Sequence, residues 1–265
     1  NSRMRSLVTF AAPVVYHGES EPTVGIYGVE GSKPGAAVSA VYLSHRVIRP
    51  SKSGYGYVLG RALYSCKRLY ARLLEIGRDD LFYAVPLPRL PASLPGEDEG
   101  AKVAFLLQHL SRPRRPAPDD FDKHVRAVGP DLNILAYAFN FRFRSGEPNT
   151  SLHLANLFNE AMYRELSLKP FEDIYGQDMI VSTTNFERKA YGQAFFDDYS
   201  ARLGTSDVTG TDHITVLRSV VMDPWVTETA ADAGGADFLD TLEAALRRAA
   251  TAAYSLVNRT SSSGY

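Results

Sequence analysis

The most regular pattern in this sequence lies between Tyr55 and Ile76. Apolar residues recur there at intervals of three and four, and Gly77 follows where a helix would end. This spacing predicts one long amphipathic helix closed by a glycine. Four basic residues on its other sides are interpreted as a solvated or interface surface rather than a ligand site. They are Arg61, Lys67, Arg68 and Arg72.

Helical and strand patterns alternate along the rest of the chain. Ser32 is a candidate N-cap for an apolar, buried helix that runs to Ile48, with Pro34 in its first turn. Strands are predicted at 132–143, 179–184 and 214–222, and further helices at 151–166 and 236–257. This order indicates an α/β layer domain, in which an antiparallel sheet is allowed because the connections differ in length.

Residues 86–118 interrupt the alternation. They contain seven of the fifteen prolines and the acidic run Glu97-Asp98-Glu99. Such a composition predicts an exposed insertion with one short helix, at about 103–110.

The composition restricts the function. Lys plus Arg total 29 and Asp plus Glu total 30, a formal charge of −1, so no general attraction to nucleic acid or an anionic membrane is expected. The single cysteine, Cys66, excludes an internal disulfide, and the histidine spacing predicts no metal site. No apolar run approaches the roughly 20 residues that cross a bilayer, and no signal-peptide pattern is present. We therefore expect a cytoplasmic protein.

The segment from Val29 to Gly35 carries the strongest local chemical signal. Small residues, the Ser32 hydroxyl and Lys33 converge on a helix start, where backbone N–H groups and the helix dipole favour a phosphate. The alternative interpretation is an N-capped helix whose glycines only permit a tight turn.

Several separate blocks of sequence resemble one family in the same order. They are Arg3-Met4-Arg5, Ala12-Pro13-Val14-Val15-Tyr16, Glu30-Gly31-Ser32-Lys33-Pro34-Gly35, Gly54-Tyr55-Gly56, Pro130-Asp131-Leu132-Asn133, Ser182-Thr183-Thr184-Asn185-Phe186, Thr215-Val216-Leu217-Arg218 and Val221-Met222-Asp223-Pro224. Together they resemble the region after the cofactor lysine in group II pyridoxal-phosphate-dependent amino-acid decarboxylases, above all bacterial tyrosine decarboxylases. The resemblance covers nearly the whole chain except the proline-rich insertion. The family's Asp-x-His-Lys block is not found in the sequence.

The resemblance implies an α/β, fold-type I enzyme that uses pyridoxal 5'-phosphate. Residues 1–78 would finish the cofactor-binding large domain, and residues 79–265 would form the small carboxyl-terminal domain. Because the lysine block would precede Asn1, we expect a fragment, a cleavage product or a split-gene subunit. Its expected partners are an amino-terminal part that carries the lysine, a second copy in a homodimer and an amino-acid substrate.

The resemblance also implies roles for four residues. Ser32 would contact the cofactor phosphate, and Gly31 would allow its close approach. Arg218 would bind the substrate α-carboxylate, a task that suits the planar guanidinium fork. Tyr16 lies where the family has a mobile loop whose tyrosine protonates the substrate carbon after carbon dioxide leaves. His17 is an adjacent candidate for that proton transfer.

The implied reaction is removal of the α-carboxylate from an L-amino acid, with an aromatic substrate such as tyrosine as the first choice, to give an amine and carbon dioxide. A related lyase or aldehyde synthase is a variant of this hypothesis. The alternative from another class is a non-catalytic binding or regulatory module that derives from the family and lacks the lysine. Alone, the chain is expected to be inactive.

Overall fold

The computed structural model describes residues 35–77, 81–111, 120–168, 173, 176–227 and 237–262, with side chains as far as Asn258. The chain divides into two compact units, residues 1–56 and 57–265. The described helices are α1 Gly35–Val47, α2 Tyr55–Ile76, α3 Glu99–Leu106, α4 Phe121–Ala127, α5 Leu152–Glu165, α6 Arg188–Tyr191, α7 Gln193–Arg202 and α8 Phe238–Ser262. The described strands are β1 Phe82–Pro86, β2 Ile134–Phe141, β3 Ser182–Glu187 and β4 His213–Val220.

The four strands form one sheet in the second unit. Their order is β1-β2-β4-β3, and every neighbouring pair is antiparallel. The predicted mixture of helices and strands is therefore confirmed, as is the antiparallel sheet that the unequal connections allowed. The predicted change of domain near residue 78 stays a prediction.

One face of the sheet is covered completely. Side chains of α2, α8 and the carboxyl half of α5 pack on it in a single apolar cluster. In this cluster Phe141 of β2 stacks on Phe158 of α5, with ring centroids 5.3 Å apart. Each large apolar side chain enclosed there contributes about 1.5–3 kcal/mol to folding. The cluster includes Leu69, Leu73, Leu135, Tyr137, Phe139, Met162, Leu217, Leu246 and Ala250, all fully buried.

Two asparagines of α5 replace strand pairing where β2 and β4 separate. The β2–β4 register ends at Tyr137. Beyond it, the Asn159 side chain accepts a hydrogen bond from Phe139 N and donates one to Phe139 O, both at 2.8 Å. Asn156 accepts from Thr215 N at 2.9 Å. Since buried backbone groups need partners, these amides allow the helix to lie against open strand edges.

Helix α1 differs from its prediction. Its predicted position, up to Ile48, is confirmed to within a residue, but none of its residues is buried. Val38 is 73% exposed and Val47 is 83% exposed. The expectation of a buried helix is therefore wrong, because the apolar side chains of α1 are exposed. The proposed N-cap, Ser32, lies outside the described residues.

The proline-rich insertion is less exposed than predicted. Its helix α3 begins after Asp98, whose side chain accepts a hydrogen bond from Ala101 N at 2.7 Å, and continues into a π-helical turn, Leu107–Ser111. Leu94, Leu106 and Leu110 are buried in the main apolar cluster. The insertion therefore contributes leucines to the core, although its prolines and charges predicted an exposed segment.

Candidate functional site

Strand β4 places Arg218 on the second face of the sheet. Side chains alternate along a strand, so Arg218 shares a face with Ile214, Val216 and Val220, whereas Ser219 points to the covered face and its hydroxyl meets the Tyr137 hydroxyl at 2.8 Å. Arg218 is partly buried. Among the described residues, its guanidinium has no hydrogen-bond or ion-pair partner.

Small side chains flank Arg218 on both neighbouring strands. Its register partners are Ala136 in β2 and Ser182 in β3. The Ser182 hydroxyl donates to the backbone carbonyl of Arg218 at 3.4 Å. On the far side of Ala136, Leu87 N donates to Ala136 O at 2.8 Å. Both register partners therefore have short side chains that extend little from the sheet.

Helix α7 covers only part of this face. Its Phe196 and Tyr199 pack with Ile214 and Val216 in a second apolar cluster, and these four side chains are buried. Towards the other end of β4, burial decreases, and Val220 is 45% exposed. Arg218 therefore lies at the border between the covered and the open part of the face.

At the end of this face that α7 covers, the buried side-chain amide of Asn140 joins several segments of the chain. Asn140 Nδ2 donates to Leu203 O at 2.8 Å and to Asn149 O at 2.9 Å, and lies 3.0 Å from the Tyr83 hydroxyl. The chain turns here at Gly204, whose φ is +78° and whose added Cβ would approach the Tyr83 hydroxyl to 2.7 Å. Glycine is therefore required at this turn both by its backbone conformation and by the close approach.

A buried ion cluster lies on the opposite side of the sheet. Arg72, only 1% exposed, contacts Asp240 at 2.9 Å, Glu243 at 3.3 Å and Asp237 at 3.5 Å. Arg68 also binds Asp237 and donates to two carbonyls at the end of the insertion, Leu110 and Ser111. The prediction that Arg68 and Arg72 are solvated is wrong, because Asp237, just before α8, pairs with both arginines and acids within α8 also pair with Arg72.

Burial changes the acidity of several groups on the covered face. Desolvation raises the pKa of the Cys66 thiol to about 12, and the neighbouring Lys67 opposes that change only partly. Desolvation also raises the pKa of Tyr137, and the hydrogen bond between its hydroxyl and that of Ser219 opposes this change. Desolvation lowers the pKa of Lys67, whose ammonium donates to Val128 O. A thiol and a phenol held neutral in this way are packing groups rather than nucleophiles.

A cleft of about 630 Å³ lies between β1, the end of α2 and the insertion. Two of its arginines already have partners: Arg89 pairs with Asp198, and Arg202 donates to Pro86 O at 2.6 Å and to Leu87 O at 2.8 Å. These arginines therefore tie α7 and the insertion to the sheet.

The four predicted site residues divide into two groups. Arg218 is described and is partly buried on β4, and the substrate-binding role predicted for it stays a prediction. Tyr16, Gly31 and Ser32 lie outside the described residues. Trp225 lies beyond the sheet in a turn and is 51% exposed. The described residues contain no cluster of three or more metal-ligating side chains. No helix among them is long and apolar enough to cross a membrane.

Comparison with known proteins supports the resemblance to amino-acid decarboxylases that the sequence blocks indicated. Residues 119–248, which include β2, β3 and β4, match the family described as "Tyrosine decarboxylase, C-terminal". Residues 119–248 of the chain are therefore similar to the carboxyl-terminal domain of that family, and the resemblance inferred from the sequence blocks is confirmed.

Individual relatives extend the match over most of the chain. It is 25% identical over 233 residues to the L-tyrosine decarboxylase of Enterococcus faecium, a match that covers 86% of this chain and 31% of that protein. The L-tyrosine decarboxylases of Enterococcus faecalis and Levilactobacillus brevis are 26% and 25% identical, and each match covers 85% of this chain and 30% of the relative. The chain thus spans about 30% of the length of these curated relatives.

Proposed function

We propose that this chain is the carboxyl-terminal part of a fold-type I, pyridoxal-phosphate-dependent decarboxylase that acts on an aromatic L-amino acid such as tyrosine. The observation that carries the proposal is Arg218, a partly buried guanidinium without a partner among the described residues, between the small side chains of Ala136 and Ser182. The names of the relatives support the substrate, since all three are L-tyrosine decarboxylases.

In this proposal, Arg218 holds the α-carboxylate of the substrate. A guanidinium can bind both carboxylate oxygens at once, which fixes the orientation of the bond to be broken. The Ser182 hydrogen bond to the Arg218 carbonyl keeps the strand edge in register at that point. The partial burial of Arg218 reduces the water around its side chain, which strengthens the attraction of the guanidinium for an anion.

The cofactor would supply an electron sink for the carbanion that decarboxylation leaves. Ser32 and Gly31 are proposed to hold its phosphate, and Tyr16 to return a proton to the substrate carbon. Lys67 does not fit the covalent bond to the cofactor, because its ammonium is engaged with Val128 O. We assign that bond to a lysine in an amino-terminal part, and infer that the chain alone has no decarboxylase activity.

The proposal includes a homodimer in the cytoplasm. The single cysteine, which is buried and free, is consistent with a reducing compartment.

Kinetics of Arg218 variants test the proposed role. In an enzyme that joins this chain to an amino-terminal part with the cofactor lysine, Arg218→Gln should lower kcat/KM about 10- to 150-fold, as expected for a lost charge-assisted hydrogen bond of about 1.5–3 kcal/mol. Arg218→Lys keeps the charge and loses the fork, so it should raise KM and lower kcat with an unchanged cofactor spectrum. The control is Arg144→Lys, at an exposed position beyond the opposite end of β2.

Wild-type kinetics for both Arg218 variants would assign substrate binding to another residue. The reading frame before Asn1 provides a second test, because a strand followed by Asp-x-His-Lys supports the enzyme, whereas a frame without that block supports the non-catalytic module.

A further inference from the structure

The cleft between β1, the end of α2 and the insertion has the size of a small-molecule site. Its volume of about 630 Å³ falls within the range of about 300–1,000 Å³ that is typical of such sites. Leu74, Val85 and Val103 give it apolar walls. Every residue that lines it except Arg202 precedes the stretch 119–248 that matches the family. The family match therefore does not explain this cleft.

Several polar groups of the cleft already have partners within the protein. The Tyr83 hydroxyl donates to Leu203 O at 3.0 Å, Asp98 caps α3, and the two arginines have the partners described above. In the part of the chain that the structure describes, three charged side chains of the cleft have no hydrogen-bond or ion-pair partner. They are Glu97, Glu99 and Lys102. These three charges are therefore available to a ligand.

A buried phenol in the same cleft lacks a good acceptor. Tyr70 is fully buried, and its one acceptor among the described residues is Pro88 O, at 3.4 Å. Hydroxyl hydrogen bonds to oxygen are usually about 2.5–3.0 Å long, so this bond is weak. Burial raises the pKa of Tyr70, Arg202 lowers it and Glu99 raises it, so both charges lie near the hydroxyl. An oxygen of a bound ligand would therefore satisfy this buried donor better than Pro88 O does.

The free groups of the cleft determine which charges a ligand needs. The Tyr70 hydroxyl and the Lys102 ammonium are donors that favour an anionic oxygen, whereas the Glu99 carboxylate favours a cation. A simple anion would be repelled by Glu97 and Glu99. A simple ammonium ion would leave the phenol and Lys102 without an acceptor. A zwitterion satisfies both kinds of group, and the apolar walls favour one with an apolar body.

We propose that this cleft binds a free amino acid with an apolar side chain. The ligand carboxylate accepts hydrogen bonds from the Tyr70 hydroxyl and the Lys102 ammonium, and the ligand ammonium pairs with Glu99. The ligand side chain lies against the apolar walls. Arg218 is not among the residues that line the cleft, so the inference goes beyond the proposed function and does not depend on it.

Three probes with the same phenyl body test the charge pattern. Isothermal titration calorimetry of the chain would compare L-phenylalanine, a zwitterion, with phenethylamine, which has only the ammonium, and hydrocinnamate, which has only the carboxylate. L-phenylalanine should bind at least about tenfold more tightly than either of the others, since each of them lacks one of the two charged contacts.

Two substitutions locate the binding in the cleft. Tyr70→Phe removes only the hydroxyl, and Lys102→Met removes the ammonium but keeps an unbranched side chain. Each should weaken the binding of L-phenylalanine at least about fivefold. The matched controls are Tyr163→Phe, at a half-buried position of α5, and Lys123→Met, at an exposed position of α4. Each control should change the affinity less than about twofold.

The outcomes separate the cleft from the site proposed at Arg218. Absence of binding, equal affinities for the three probes, or binding that both cleft variants retain would overturn the proposal. Arg218→Gln should leave the affinity for L-phenylalanine unchanged. If Arg218→Gln abolishes binding and the cleft variants keep it, the amino acid belongs to Arg218, which overturns the cleft and supports the proposed function.

Discussion

The two faces of the sheet differ in how completely they are covered. On one face, α2, α8 and part of α5 enclose every large side chain from Leu135 to Phe141 that points towards them. On the other face, α7 covers Ile214 and Val216 but leaves Val220 exposed and Arg218 only partly buried. The charges follow the same division, since Arg72 has three acidic partners within 3.5 Å and Arg218 has none among the described residues.

This difference separates residues that stabilise the domain from residues that are available for binding. A buried arginine with compensating acids is costly to disturb, because its removal leaves uncompensated charge in a region without water. A partly buried arginine without partners contributes little to folding, but its desolvated position strengthens an interaction with an incoming anion. Four predictions test the division, in order of decreasing expected effect.

Arg72→Met should produce the largest loss of stability. The variant leaves Asp237 and Glu243 buried with fewer cations, and breaking a buried ion pair from one side costs about 3–5 kcal/mol. Urea unfolding followed by circular dichroism measures the change. The control is Arg164→Met, since Arg164 forms an exposed pair with Glu160 at 3.6 Å and its loss should cost at most about 1 kcal/mol. Equal losses in the two variants would mean that the cluster on α8 does not stabilise the fold.

Cys66 should be almost inert to thiol reagents in the folded protein. Its pKa is raised from 9.0 to about 12, so at pH 8 the thiolate fraction is on the order of a thousandfold below that of the unfolded chain. Its labelling should therefore follow unfolding, which a comparison of native and urea-treated protein measures. Rapid labelling of the native protein would show that the covered face opens readily.

The same shift fixes the sign of a pH effect. The folded form holds the Cys66 proton more tightly than the unfolded form, so the contribution to stability is complete below pH 9 and is lost as the pH rises towards 12.

The sequence predicted the covered face better than the open one. The spacing in α2 and the apolar runs of β2 and β4 are local periodic signals, and these elements appear within two residues of their predicted limits. The strand predicted at 179–184 is β3 at Ser182–Glu187, a shift that has a simple cause. Met179 and Val181 precede the strand but are buried in the main cluster. Their apolar character therefore indicated burial and not strand pairing.

Other features depend on partners that are distant in sequence. The short strand β1 was missed because it ends at Pro86, where the composition indicates a loop. Arg68 and Arg72 look like surface residues in the sequence, because their partner Asp237, just before α8, is more than 160 positions away. Arg218 was found only through the resemblance of its strand to a family, since no local pattern distinguishes a binding arginine from one at a strand end.

Asn140→Ala should have an intermediate effect. Asn140 is fully buried at the closed end of the α7 face, and its side chain bonds to Asn149, Leu203 and Phe141 N. Buried groups left without partners cost about 1–3 kcal/mol in the free energy of unfolding, which urea titration measures. Asn185→Ala, at an exposed position of the edge strand β3, is the control and should cost less than about 1 kcal/mol. A loss as small as that of the control would mean that α7 alone keeps this end closed.

Arg218→Gln should have the smallest effect on stability, a change within about 0.5 kcal/mol in the free energy of unfolding of the chain. The guanidinium has no partner among the described residues, and its neighbours Ala136 and Ser182 make few contacts that a shorter side chain would lose. The same substitution is expected to impair the joined enzyme strongly, so its effect should be small on stability and large on activity. A loss of about 2 kcal/mol or more, the cost of leaving buried groups without partners, would make Arg218 a structural residue like Arg72. The division between a stabilising face and a binding face would then no longer hold.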